Sequence, residues 1–248
     1  MPIKYPIESV KVFLYGQPKT GKSTFASKLK GGLFLSTEAG LSFLKSKNRP
    51  IQSWADFKKF LNLAEKSPEK FEAVNIFIVD TVDRLYILCY TEVLDGLNIK
   101  APRKNNFGDD WKAIRMEWES AINRLTMLNK GVLLIGHAKE IEVPVEDSLV
   151  ADTTVPGYIS SMPNAGKEIV WKLCDFSWCA DQVTVTTKDK DGKKIKTTKP
   201  YVYCLPTERY PECGGRVPCI PKRIPFNYPD IQAAFDTALR QHFGDSAK

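Results

Sequence analysis

The sequence predicts an α/β fold: a mostly parallel central sheet flanked by helices, with antiparallel strands toward the C-terminus. Three observations predict it. Short apolar runs bounded by turn residues alternate with stretches of helical spacing, the pattern of a parallel sheet covered on both faces. The runs are apolar nearly throughout rather than at every second position, as burial on both faces demands. Past residue 140 the alternation gives way to an Asp-Gly turn between β-rich segments, which signals a hairpin.

The first strand is the run at residues 10–15 (VKVFLY), which ends at Gly16. A helix is expected over residues 21–30, stopped by Gly31 and Gly32. Residues 33–36 (LFLS) read as the second strand. Residues 54–65 place Trp54, Phe57, Leu61 and Ala64 on one helical face. Residues 75–79 (NIFIV) read as the third strand, which ends at Asp80. Helices are expected over 82–94 and 111–128, and residues 131–135 (GVLLI) read as the fourth strand. Residues 142–166 are rich in Pro, Gly, Ser and Asp and show no period. They read as a long irregular loop, and such loops inside compact domains are usually functional or mobile. A short helix at 167–173 and β-rich runs at 182–187 and 195–205 around the turn 188–193 come next. A last helix over 229–243 sets Ile231, Phe235, Leu239 and Phe243 on one stripe. The expected organisation is one domain over 1–248, with a core over 8–187 and a C-terminal hairpin and helix over 188–243.

Composition narrows the class. The 248 residues are 43% hydrophobic and 26% charged, ordinary for a soluble globular protein. No run of 18 apolar residues occurs, so no membrane partner is expected. The N-terminal stretch has no apolar segment before a small-residue cleavage site, so no signal peptide is expected and the cytoplasm is the expected location. Lys and Arg number 36 against 29 Asp and Glu, a formal +7. A positive field attracts polyanions such as nucleic acid; a net charge of this size also serves solubility alone. Six cysteines form no C-x-x-C pair, and reduced thiols are expected. Cys204, Cys213 and Cys219 lie close together in a loop-rich stretch, but their spacing matches no common zinc pattern.

One motif carries chemistry. Gly16-Gln17-Pro18-Lys19-Thr20-Gly21-Lys22-Ser23 fits G-x-x-x-x-G-K-[ST], with a strand before it and a helix, beginning with Thr24 and its neighbours, after it. Its glycines let backbone N–H groups wrap phosphates at a helix N-terminus. Lys22 is placed to reach the β- and γ-phosphates, and the Ser23 hydroxyl to ligate Mg²⁺. This is the phosphate loop of a P-loop nucleoside triphosphatase, so ATP and Mg²⁺ are the expected ligands. Asp80, at the end of the third strand, stands where a second Mg²⁺-positioning carboxylate belongs. Thr81 rather than Glu follows it, so a general base must come from elsewhere. Glu38, just after the second strand, is the candidate; at the carboxyl edge of the sheet it can face the γ-phosphate and polarise a water. His137 ends the fourth strand and either senses the γ-phosphate or caps the strand.

These landmarks, in this order, resemble the RecA-type recombinase core. Closer still, T-E-A-G-L after the second strand, I-V-D-T-V-D-R-L, and G-H-A-K-E resemble a phage-encoded group of short RecA-like ATPases. That group is described as Sak-type single-strand annealing proteins and carries an AAA-domain label. The resemblance covers roughly residues 8–240. It implies a RecA-like P-loop ATPase that binds single-stranded DNA in recombination or annealing, in the cytoplasm of a host bacterium. It also implies a homo-oligomer and a single-strand-binding protein as a further partner. The family's sensor is usually Gln, where this chain has His137. A first DNA-binding loop falls on residues 95–110, with Lys100, Arg103, Lys104 and Phe107, and a second on residues 139–166. RecA-like assemblies bring a neighbour's cation to the γ-phosphate, and Arg209 and Lys222 are the candidates here.

Two other classes compete. Nothing in the sequence excludes an ATP-driven switch that binds a protein, such as a helicase loader. A small-molecule kinase would carry an Arg-rich lid after its later strands, and residues 139–166 contain no Arg.

Overall fold

The computed structural model describes residues 6–38, 46–144, 154–188 and 194–243. In chain order the elements are β1 (Lys11–Gly16), α1 (Lys22–Ala26), β2 (Gly32–Ser36), β3 (Lys47–Pro50), α2 (Trp54–Lys66) and β4 (Ile76–Asp80). Then come α3 (Val82–Gly96), α4 (Asp109–Thr126), β5 (Gly131–Pro144), β6 (Thr154–Ser160) and α5 (Asn164–Leu173). The chain closes with β7 (Phe176–Lys188), β8 (Lys194–Tyr203), β9 (Gly214–Gly215), β10 (Arg223–Pro225) and α6 (Tyr228–Phe243).

The sheet order is β10-β8-β7-β1-β5-β4-β2-β3, with β6 attached to β5 and β9 to β7. Neighbours from β7 through β3 are parallel, and β8 and β10 are antiparallel. This is the α/β fold expected, with antiparallel strands toward the C-terminus. Successive side chains of a strand point to opposite faces, so β1 serves two cores. Phe13 and Tyr15 join the core under α2, α3, α4 and α5. Val12 and Leu14 join the core under α1 and α6. The helix α2 starts where Ser53 and Asp56 form a reciprocal capping box, and it buries Trp54, Phe57, Phe60, Leu61 and Ala64. Among the described residues no helix is long and apolar enough to cross a membrane.

Several expectations are corrected. The helix expected over 21–30 ends at Ala26. Lys28 and Leu29 bond back three residues instead of four, a tightening that turns the chain into Gly31 at φ +66° and so into β2. The strand expected to stop at residue 135 continues to Pro144, because residues 138–144 pair with β6. The stretch 142–166 thus carries strand residues at 142–144 and 154–160 and the start of α5 at Asn164, and residues 145–153 lie outside the described residues. The expected β-rich run at 182–187 is the distal part of a longer strand. Its proximal half, Phe176 to Ala180, lies parallel to β1 inside the sheet. The edge strand β3 has polar residues and a mostly exposed pattern, which gives no apolar signal. On α6, Ile231, Phe235 and Leu239 are buried as expected, whereas Phe243 at the helix end is exposed.

Candidate functional site

All four expected landmarks lie at the carboxyl edge of the parallel strands. The phosphate loop leaves β1 at Gly16 and enters α1 at Lys22. A Cβ on Gly16 would stand 2.3 Å from the Ala180 carbonyl oxygen, so the loop starts flush against β7. Lys19 and Gly21 hold φ of +64° and +94°, the left-handed conformation that a loop of inward N–H groups needs. The Thr20 hydroxyl closes the turn on the Gln17 carbonyl at 2.9 Å.

Lys22 is only 7% exposed, and its ammonium donates to the Gly16 and Gln17 carbonyls, both at 2.8 Å. Burial pulls its pKa below the ordinary lysine value, while Asp80 opposes that shift. A phosphate would return to this ammonium the charge partner that burial denies it. Ser23 Oγ donates to Asp80 Oδ2 at 2.7 Å. Desolvation raises the Asp80 carboxyl above its usual range, and the Ser23 hydrogen bond pulls the other way. A hydroxyl and a buried carboxylate side by side are a donor set that fits Mg²⁺, which takes oxygen ligands from one or two carboxylates and from substrate phosphates.

Glu38 Oε1 accepts from Thr81 Oγ1 at 2.8 Å. Thr81 follows Asp80 across a cis peptide bond and is itself tied to Thr37, whose Oγ1 donates to the Thr81 carbonyl and accepts from the Thr81 N–H. Three short bonds thus hold the candidate base beside the strand-end carboxylate. The family-like segment continues through residues 39–41, which lie outside the described residues. His137 ends the stretch of β5 that pairs with β1, and its N–H donates to Asp83 Oδ2 at 2.9 Å. Asp83 Oδ1 accepts from Ser161 Oγ at 2.6 Å, so Asp83 joins the sensor position to the start of the segment after β6.

These groups line one cleft of ≈ 300 Å³: Pro18, Lys19 and Gly21 to Thr24 from the loop, with Glu38, Asp80, Thr81 and His137. A larger hollow of ≈ 720 Å³ lies at the opposite edge, lined by Lys11, Asn75 and Gly131 at the starts of β1, β4 and β5. It holds none of the phosphate-loop groups, and ligands of open α/β sheets bind at the carboxyl ends of strands. The smaller cleft is therefore the candidate site. Sequence reading missed Asp83, Thr37 and Ser161, whose roles are made only by tertiary pairing. The spacing of Asp83, three residues after Asp80 on the next helix, was the available signal.

The other expected residues lie elsewhere. α3 and α4 run antiparallel, since Tyr86 meets Trp118 and Tyr90 meets Trp111. Their connection carries Lys100 and Lys104, both exposed, and Phe107, whose side chain is fully exposed. Arg103 is not free. Its guanidinium donates to both oxygens of the buried Asp110, at 3.1 and 2.8 Å, and its N–H donates to the same carboxylate. The guanidinium beside it holds the Asp110 carboxyl down at about 2. Arg209 is engaged within the chain, with Nε on the Pro156 carbonyl at 2.6 Å and its guanidinium over the Tyr210 ring. Lys222 is exposed just before β10. Neither lines the cleft. Cys204 and Cys213 are buried, Cys219 is exposed, and among the described residues no three His, Cys, Asp or Glu side chains group to hold a metal.

The profile of the AAA domain family designated AAA_24 matches residues 8–211. A relative in Bacillus subtilis (strain 168), the SPbeta prophage-derived uncharacterized protein YorG, is 31% identical over 137 residues. That match covers 54% of this chain and 42% of YorG, so the chain spans less than half of that relative's length. Among solved structures, the chain is similar to flagellar accessory protein FlaH from Methanocaldococcus jannaschii, with a TM-score of 0.45 and 14% identity over 89% of this chain and 85% of that one. It is also similar to the KaiC-like protein PH0186 from Pyrococcus horikoshii OT3, with a TM-score of 0.42 and 13% identity over 78% of this chain and 85% of that one.

Proposed function

Because the chain belongs to the AAA domain family, we propose that it binds ATP with Mg²⁺, hydrolyses it, and works on single-stranded DNA in phage recombination or annealing. The observation that carries the nucleotide part is the convergence of Lys22, Ser23, Asp80 and Glu38 on one cleft. Lys22 takes the β- and γ-phosphates, Ser23 and Asp80 take Mg²⁺, and Glu38 orients the attacking water. Bound Mg²⁺ offsets the charge that develops on the transferred phosphoryl group. In this reading His137 senses the γ-phosphate and Asp83 passes the signal on, supported by the hydrogen bonds that the His137 N–H and the Ser161 hydroxyl donate to Asp83.

The DNA part rests on the α3–α4 connection. Two exposed cations and one fully exposed aromatic ring on a projecting loop suit a groove that tracks a backbone and stacks one base. The prophage origin of YorG supports the phage setting. Subunits assembling around the nucleotide, with Lys222 as a neighbour's cation, complete the proposal. Arg209 is the weaker candidate because it already fastens β6.

The test is nucleotide and DNA binding in one preparation. Lys22→Ala should lose ATP affinity while its melting temperature stays at the wild-type value, because the ammonium contacts loop carbonyls rather than core. Undiminished ATP binding by this variant removes the central claim. Wild-type protein should bind an oligothymidine in a salt-dependent way; no binding at low salt, with ATP present, removes the DNA reading and leaves the protein-switch class.

A further inference from the structure

The strand β1 ends at Gly16, but the strands on either side of it run on. β5 continues as a ribbon with β6, and β7 continues past Ala180 as a ribbon with β8. Both leave the carboxyl edge, so the two ribbons stand on either side of the phosphate loop. They differ in what covers them. The Tyr158 N–H donates to the Arg209 carbonyl at 2.7 Å, and Arg209 Nε to the Pro156 carbonyl, so the segment after β8 closes the outer edge of β6. No described residue does the same for the second ribbon. β1 pairs with β7 only as far as Ala180, and β10 pairs with β8 only from Tyr201 on. Between those limits and the turn, apart from the Phe226 N–H that donates to the Pro200 carbonyl at 3.0 Å, the described residues of β7 and β8 pair with each other alone, from Gln182 opposite Pro200 to Lys188 opposite Lys194. Residues 194–200 are all exposed, as are Gln182, Thr184 and Thr186.

An isolated two-stranded ribbon is marginal in water. This one is held at its root: the Tyr210 hydroxyl donates to the buried Asp181 carboxylate, and the Tyr210 ring stacks on Tyr203 at 3.8 Å. One residue farther out, Gln182 Nε2 donates to the Lys19 carbonyl of the phosphate loop at 3.3 Å. The ribbon therefore projects from a fixed base beside the nucleotide cleft.

Its charge indicates what it meets. Residues 182–200 hold six lysines and two aspartates, a surplus of four in a chain whose net charge is +7. No ion pair among the described residues engages Lys194, Lys196 or Lys199. Strand alternation puts Lys194, Lys196 and Thr198 on one face, with Thr184 and Thr186 opposite on the partner strand. The Thr184 and Thr198 hydroxyls lie 3.5 Å apart. Ammonium and hydroxyl groups are phosphate donors, and such contacts position a strand without reading it. The ribbon segment has no aromatic residue, so it has nothing to stack on bases.

We propose that the β7–β8 ribbon is a second nucleic-acid arm that grips the sugar–phosphate backbone without base preference. The proposal rests on the DNA reading above, and divides the labour: the α3–α4 loop stacks, the ribbon holds phosphates. The test uses the full chain with Lys194→Ala, Lys196→Ala and Lys199→Ala combined, and a second variant with Glu at the same three positions. Fluorescent oligothymidine and a mixed-sequence oligonucleotide are titrated across a salt series. The slope of log K against log salt should flatten by up to about 2, with roughly 10²-fold weaker binding at low salt, equally for both sequences. The Glu variant should bind more weakly still. ATP turnover without DNA should stay at the wild-type rate in both variants. Wild-type binding with an unchanged slope in the variants would overturn the ribbon proposal while leaving the DNA reading in place. Lost DNA-free turnover with intact DNA binding would also overturn it, and would assign the ribbon to a second copy of the chain. Absence of wild-type binding would remove both.

Discussion

At the scale of single residues, the cleft is held together by small groups whose neighbours decide their chemistry. In the proposed reading Glu38 is the base, and Thr81, itself tied to Thr37, holds it at the strand end. Glu38→Gln keeps the hydrogen bond to Thr81 and removes the basicity. ATP and Mg²⁺ binding should persist while hydrolysis falls by about 10²–10⁴-fold, read by single-turnover kinetics; wild-type turnover would assign the base to another group. Gly16 is the second case. Its hydrogen occupies the only room between β1 and the Ala180 carbonyl. Gly16→Ala should push β7 away, cost about 1–3 kcal/mol of stability and weaken ATP binding together with it. Calorimetry and nucleotide titration on the same sample check the pairing of the two effects. That the phosphate loop, Asp80 and Glu38 meet at one sheet edge is legible in the sequence, because each follows an apolar run that reads as a parallel strand. Thr37 is not, and Asp83 is marked only by its spacing from Asp80, because a hydroxyl after a strand and a carboxylate on a helix start gain their roles when the fold sets partners against them.

At the scale of elements, what the sequence concealed is instructive. Apolar runs announced the buried part of β5 and of the sheet centre, and those strands stand where expected. The same signal fell silent at residue 136, although β5 runs eight residues farther, because a ribbon needs a hydrogen-bonded partner rather than an apolar face. The α3–α4 connection shows the reverse: its basic character was legible, but not the division of its cations. Arg103 closes the loop on Asp110, leaving Lys100 and Lys104 to face solvent. The folded Asp110 carboxyl titrates at about 2, and an unfolded one near 3.9. A carboxyl whose folded pKa is depressed stabilises the folded loop above the unfolded value and loses that contribution as pH falls toward the folded one. The clasp should therefore hold at pH 5 and open between about pH 4 and 2. Carbon-13 NMR of the Asp110 carboxyl should report a midpoint near the lower value. An ordinary aspartate midpoint would remove the clasp.

At the scale of the whole molecule, β1 belongs to both apolar layers at once, through Phe13 and Tyr15 on one side and Val12 and Leu14 on the other. Neither layer can come apart without exposing it. Past its root at Asp181 the ribbon contributes no residue to either layer, and the residues of its second strand from Lys194 through Pro200 are all in solvent. Amide hydrogen exchange should therefore divide a single strand. Amides of β7 next to β1 should exchange only through global unfolding, with the slowest rates in the protein. Those from Thr184 onward should exchange through local opening, orders of magnitude faster and insensitive to mild denaturant. Equal protection along the whole of β7 would mean that the ribbon is covered after all. The boundary falls just past the Gly16–Ala180 pair, so a chain segment that opens freely is joined, within four residues, to the part of the molecule that opens last. A transient excursion of the ribbon should thus end at the phosphate loop without reaching it, leaving the nucleotide pocket organised while its outer arm samples many shapes.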